Sequence, residues 1–250
     1  MKKVLLVFGL VVAFVGIAGS VGKTSTEISD EQMFDLIVRT AQRRALCAWP
    51  FERLLVRCNN DSNRLCRIAC DGFRSNTDTF ARNIALQVLR DYGDVQQIPF
   101  LETCVTNAWH GRAAIRILNR IEGFSSNGVA RVARFHAAAT RELAAREPSV
   151  NCDKADSIRD LALSASAPNV GSELKKLAFD YVYTVASNDC AYTWTADEAL
   201  MKIDPSFKNS KRRLALLRYA QPRVPGPFGP QHLAEEIQKL EAYPEANLPE

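Results

Sequence analysis

Apolar residues recur every three to four positions along most of this chain, in runs separated by capping residues and prolines. Met33, Leu36, Ile37, Thr40 and Ala41 form one such stripe. Ser29 and Gln32 just before it have the spacing of a capping box, in which each side chain satisfies the other's backbone N–H. The same period appears at Phe80, Ile84, Ala85 and Val88, at Ile98, Leu101 and Val105, and at Ala113, Ala114, Ile117, Leu118 and Ile121. Further helices are expected over 127–146, 153–165 and 172–187. A capping pair Thr195/Glu198 opens another that Asp204-Pro205 ends, and a last one covers 206–220. Alternation of the strand kind rarely persists beyond four residues, so the pattern predicts an all-α protein.

Two stretches repeat. Arg82, Val88 and Gly93 return thirty residues later as Arg112, Leu118 and Gly123, each set closing an amphipathic helix. A period of that length predicts stacked helical hairpins, each covering its neighbour's apolar face. The expected architecture is a short α-solenoid over 77–221, preceded by a Cys-rich helical cap over 25–75 that disulfides brace.

The ends differ from the body. Lys2 and Lys3 precede an apolar run from Val4 to Ala18, too short for the roughly 20 residues a bilayer demands. Charged start, apolar middle and small residues at 18–20 predict a signal peptide over 1–20, hence a periplasmic or secreted protein with no membrane contact after cleavage. Six of the 11 prolines fall between Pro222 and Pro249. Residues 222–250 therefore read as a Pro-rich linker and tail, with one short helix carrying Leu233, Ile237 and Leu240 on one side.

The net charge of +4 is too weak to imply nucleic acid. The seven cysteines, in an exported chain, argue for disulfides. Helices 153–165 and 172–187 are joined by few residues and should run antiparallel, so Cys152 and Cys190 flank adjacent ends. A bond between them is expected, worth about 3–4 kcal/mol by loop closure. Cys47, Cys58, Cys66 and Cys70 remain as candidates for the cap, with their pairing open. Cys104 is expected as a buried thiol.

Chemistry-bearing clusters are scarce. His110, His136 and His232 lie far apart, without Cys or carboxylate at ligand spacing, so no metal or cofactor is expected. Cys104 and His110 share a hairpin but lack a third, orienting group. Acidic pairs such as Asp153/Asp156 and Asp197/Glu198 suit the first turns of helices, where they complement the helix dipole. No catalytic residue emerges, and the chain reads as non-enzymatic. The feature with functional promise is a row, Arg112, Arg116 and Arg120, at i, i+4 and i+8.

Residues 90–123 resemble a HEAT repeat. Gly93-Asp94 matches the turn that opens such repeats, Pro99 the proline of the first helix, and Arg112-Ala113-Ala114 the start of the second. Residues 77–93 resemble the second helix of a preceding repeat. Where the family has an Asp between the helices this chain has Asn107, which weakens any Asp–Arg ladder between repeats. The resemblance implies that second helices line a concave surface, so Arg112, Arg116 and Arg120, extended by Arg82, would face a partner. The implied function is an exported scaffold that holds a protein or an anionic polymer. An inhibitor or immunity protein acting on a secreted enzyme is the nearest alternative, and an enzyme-associated, lyase-type HEAT protein the next. The sequence names neither the partner, the process nor the oligomeric state.

Overall fold

The computed structural model describes residues 28–43, 51–143, 148–224 and 229–242. Among them the regular elements are helices, with no strand, as the apolar stripes predict. The signal-like segment 1–20 and Cys47 lie outside the described residues. The chain divides after Pro50 into two compact units. The division falls inside the expected 25–75 cap, because Phe51 begins a helix that belongs to the second unit.

In the first unit, α1 spans Asp30–Arg43. The capping box forms: Gln32 N–H donates to Ser29 Oγ at 3.2 Å, and Ser29 N–H donates to Gln32 Oε1 at 3.0 Å. Met33, Phe34 and Ile37 are its buried face.

The second unit contains α2 (Phe51–Arg57), α3 (Ser62–Ser75), α4 (Thr79–Tyr92), α5 (Ile98–Cys104), α6 (Gly111–Glu122) and α7 (Ser126–Leu143). It continues with α8 (Pro148–Ala165), α9 (Ser172–Asn188), α10 (Thr193–Ile203), α11 (Lys211–Ala220) and α12 (Gly229–Glu241). Consecutive helices pack in pairs: α3 with α4, α5 with α6, α7 with α8, α9 with α10, α11 with α12. Alternate helices also meet. α4 touches α6, α6 touches α8 and α8 touches α10, while α7 touches α9 and α9 touches α11. The core is mainly aliphatic with interspersed rings; Leu89, Leu101, Ile117, Leu118, Phe135, Ile158, Leu161 and Leu200 are sealed from solvent.

Short polar residues start these helices for the usual reason, that four N–H groups at each N-terminus lack helical acceptors. Asp78 accepts from Ala81 N–H at 2.9 Å, Asp61 from Arg64 N–H at 3.0 Å and Ser210 from Arg213 N–H at 3.1 Å. Asp94 and Gln97 form a full capping box on the short 3₁₀ turn Val95–Gln97 that leads into α5. The expected Thr195/Glu198 box is replaced. The 3₁₀ turn Cys190–Tyr192, capped by Asp189, runs directly into α10 and starts it three residues early.

The close approach of α6 to its neighbours depends on Gly111. A Cβ there would sit 2.3 Å from the Val105 carbonyl oxygen and 2.6 Å from Phe135. At the far end of α6, Gly123 adopts φ +80, a left-handed conformation that glycine enters without a Cβ penalty.

No disulfide joins any two of the described cysteines. The expected Cys152–Cys190 bond is absent for a visible reason. Helix α8 begins at Pro148, so Cys152 stands exposed within it instead of ahead of it. Cys190 packs instead against the apolar cluster of α11 and α12. Cys58, in the turn after α2, and Cys66 and Cys70 of α3 are buried, and Cys47, the fourth candidate for the cap, lies outside the described residues. Burial pushes the thiols of Cys66 and Cys70 up to about 12.

Candidate functional site

Helix α6 carries the arginine row, and three aspartates of α8 meet it. Arg112 reaches Asp153 at 3.4 Å, Asp156 at 2.8 Å and Asp160 at 3.0 Å. Arg116 grips Asp160 with two bonds, Nε to Oδ2 at 2.6 Å and Nη2 to Oδ1 at 2.7 Å. Burial alone would push the Asp160 carboxyl up. The bonds from Arg116 and Arg112 outweigh it and hold the group below the usual carboxylate range. Because α8 begins at Pro148, Asp153 and Asp156 lie beyond the first turn expected for them; with Asp160 they form a ladder that ties α6 to α8.

The other two predicted arginines are also engaged inside the fold. Arg120 Nη2 donates to the carbonyls of Leu89, at 3.3 Å, and Gly93, closing the C-terminal end of α4. Arg82 Nε donates to the carbonyls of Asn76 at 2.7 Å and Phe73 at 3.3 Å, with its guanidinium over the Phe73 ring. Glu102 and Glu122 pair with the buried Arg131 of α7. Of the row, Arg116 keeps 55% of its side chain exposed and Arg112 only 22%.

Two open clefts flank this ridge and share both arginines. The one between α4 and α6, about 450 Å³, has Leu86, Gln87, Arg90 and Trp109 in its walls. The one between α6 and α8, about 430 Å³, has Ile115, Asn119, Val132, Leu161, Leu163 and Ser164. Trp109 and Leu163 are exposed at the two margins, a large aromatic and an aliphatic side chain left in water on one face. Asn119 Oδ1 is buried without a hydrogen-bond partner among the described residues, an omission that costs about 1–3 kcal/mol. These apolar and amide residues escaped the sequence reading, since nothing local marks a leucine as outward-facing.

A second polar cluster joins α7, α8 and α9. Tyr181 Oη donates to His136 Nδ1 at 2.8 Å, His136 Nε2–H donates to Ser157 Oγ at 2.6 Å, and Ser157 donates to the Lys154 carbonyl at 2.7 Å. Burial pushes His136 down to about 4, leaving the ring neutral at pH 7. Each proton in this chain points toward Lys154, and Ser157 spends its own on a backbone carbonyl within a helix. That direction serves as a clamp between helices and leaves no base free to activate the serine. The Lys154 ammonium, buried beside it, donates to Thr140 Oγ1 at 3.2 Å and lies 5.2 Å from the Tyr192 ring centre. His110, considered with Cys104, instead bonds Asn83 of α4 at 3.1 Å. Among the described residues no group of three or more His, Cys, Asp or Glu could hold a metal ion, and no helix is long and apolar enough to cross a membrane.

Comparison with known proteins finds no matching family model, no matching curated protein and no matching solved structure.

Proposed function

We propose that this chain is an exported, non-enzymatic binding protein, built as a short stack of HEAT-like hairpins, that holds a protein partner on the face formed by α4, α6 and α8. The observation that carries the reading is the pair of clefts sharing the Arg112–Arg116 ridge, with Trp109 and Leu163 exposed at their margins. Arginine beside an exposed tryptophan is the composition of protein-binding hot spots. The run of contacts from α4 through α6 and α8 to α10 supports a stacked arrangement that keeps this face continuous. A polyanion is disfavoured because the row's charge is already matched by Asp153, Asp156 and Asp160.

The test uses a photo-crosslinking residue at position 109 or 163, with a control on the solvent side of α12, in the exported full-length protein. One stoichiometric partner protein should crosslink at 109 and 163 alone, and Trp109→Ala with Leu163→Ser should release it without lowering Tm. Binding should weaken only modestly between 50 and 200 mM salt, where a polyanion contacting several arginines would lose orders of magnitude. Crosslinking from α12 instead, or a steep salt slope, overturns the reading.

A further inference from the structure

The α4–α6 cleft is rich in hydrogen-bond donors and poor in acceptors. Its α4 wall carries Asn83, Gln87 and Arg90, all exposed, and Trp109 and Arg116 stand across from them. Asn83 Oδ1 can only accept, so the buried His110 donates to it from Nδ1 at 3.1 Å and fixes which way the amide faces. The Asn83 NH2 is left without a partner among the described residues, as are the Gln87 amide and the Trp109 indole N–H. Arg90 and Arg116 each spend Nε and Nη2 on one carboxylate and keep Nη1. Against these donors the walls set one carboxylate, Asp153, which Arg112 already engages. Leu86 and Ile117, both buried, lie between.

Such walls select a backbone. An ordinary peptide brings an N–H with every C=O, and here those N–H groups would face other donors, which is costly once water is excluded. Proline brings the carbonyl alone and adds an apolar ring that packs on a tryptophan. It also holds the polyproline II shape in advance, so docking loses little chain entropy. The dimensions agree. One turn of that helix is three residues and about 9 Å, and Asn83 and Arg90 lie about 10 Å apart along α4, with Gln87 between them. A bare anion would satisfy the donors but leave Leu86, Ile117 and the exposed Trp109 without a counterpart.

We infer that the α4–α6 cleft takes a proline-rich segment of the partner in the polyproline II conformation, its carbonyls on Asn83, Gln87 and Arg90 and its rings against Trp109. This rests on the protein-binding reading and specifies what the partner presents.

The experiment is NMR of the indole N–H groups in the isotope-labelled full chain, whose tryptophans are Trp49, Trp109 and Trp194, titrated with acetyl-hexaproline amide. A parallel arm with acetyl-Gly-Ser-Gly-Ser-Gly-Ser amide supplies the same carbonyls together with N–H groups, and a tripolyphosphate arm supplies acceptors without rings. Hexaproline should shift the Trp109 signal saturably and leave that of Trp194 in place, and the Gly-Ser peptide should bind about tenfold more weakly. Asn83→Asp keeps the oxygen that His110 holds and removes the donors; Gln87→Glu removes them one turn on. Each, with an unchanged Tm, should weaken hexaproline about fivefold. Equal binding of the Gly-Ser peptide, hexaproline binding that neither variant weakens, or no saturable shift overturns the assignment. Displacement of hexaproline by equimolar tripolyphosphate would make the cleft an anion site and overturn it as well. Partner crosslinking at position 109 that persists without a hexaproline shift would sink the proline assignment alone and leave the protein-binding reading standing. A hexaproline shift with no partner crosslinked there would fault that reading and leave the chemistry of the cleft intact.

Discussion

His136 is neutral at pH 7 because its ring lies among α7, α8 and α9, accepting from Tyr181 and donating to Ser157. Protonating it would require Nδ1 to carry a hydrogen where Tyr181 already points one. Its folded pKa, about 4, lies below the ordinary 6.5, so the unfolded chain binds the proton first as pH falls. Stability from this group is complete above pH 6.5 and is lost progressively as pH falls toward 4, by about 3 kcal/mol in all. Thermal melts across that range should show the slope, and His136→Gln should flatten it; an unchanged slope would assign acid sensitivity elsewhere. Nothing near His136 in the sequence announces this role. Its partners lie 21 and 45 residues away on other helices, at distances no local period encodes.

The helices themselves were legible because their causes are local. A 3.6-residue stripe needs only neighbours three and four positions away, and caps such as Ser29, Asp78 and Asp94 act within one turn. The pairing of the arginine row was not legible, because its aspartates sit on α8, some forty residues on, and look in sequence like first-turn acids. The ladder makes a prediction. Asp160→Asn should cost about 1–2 kcal/mol, less than a buried pair since both partners still meet water. In a double-mutant cycle by urea melts, Arg116→Gln should add little once Asp160 is gone. Gly111 marks a tighter constraint at the start of the same helix. Gly111→Ala would press a methyl onto the Val105 carbonyl and the Phe135 ring, costing about 1–3 kcal/mol or more. A neutral Gly111→Ala melt would show that α6 can retreat, and with it the ridge.

In the second unit as a whole, the C-terminal helix is a fixed part of the body. Leu233, Ile237 and Leu240, the stripe expected of the tail, cover Leu214, Leu217 and Ala220 of α11. Beneath that contact Arg213 of α11 binds Asp197 of α10 through two bonds, at 2.9 and 2.8 Å, and Glu236 of α12 at 2.9 Å. Asp197 and Arg213 are both sealed, 4% and 5% exposed, so neither charge can turn to water if the other is lost. Three helices therefore share one buried guanidinium, and its removal is a failure of the assembly and not of α11 alone. Arg213→Met should destabilise by about 3–5 kcal/mol, because Asp197 would remain charged in an apolar setting. The double variant Asp197→Leu with Arg213→Met should recover most of that loss, since matched apolar groups leave no stranded charge. Limited proteolysis separates the alternatives: the single variant should release α12 first, at the chain between α11 and α12, while the double variant keeps it docked through Leu233 and Ile237. If both variants release α12 equally, the ionic triad and not the apolar seam is what holds it.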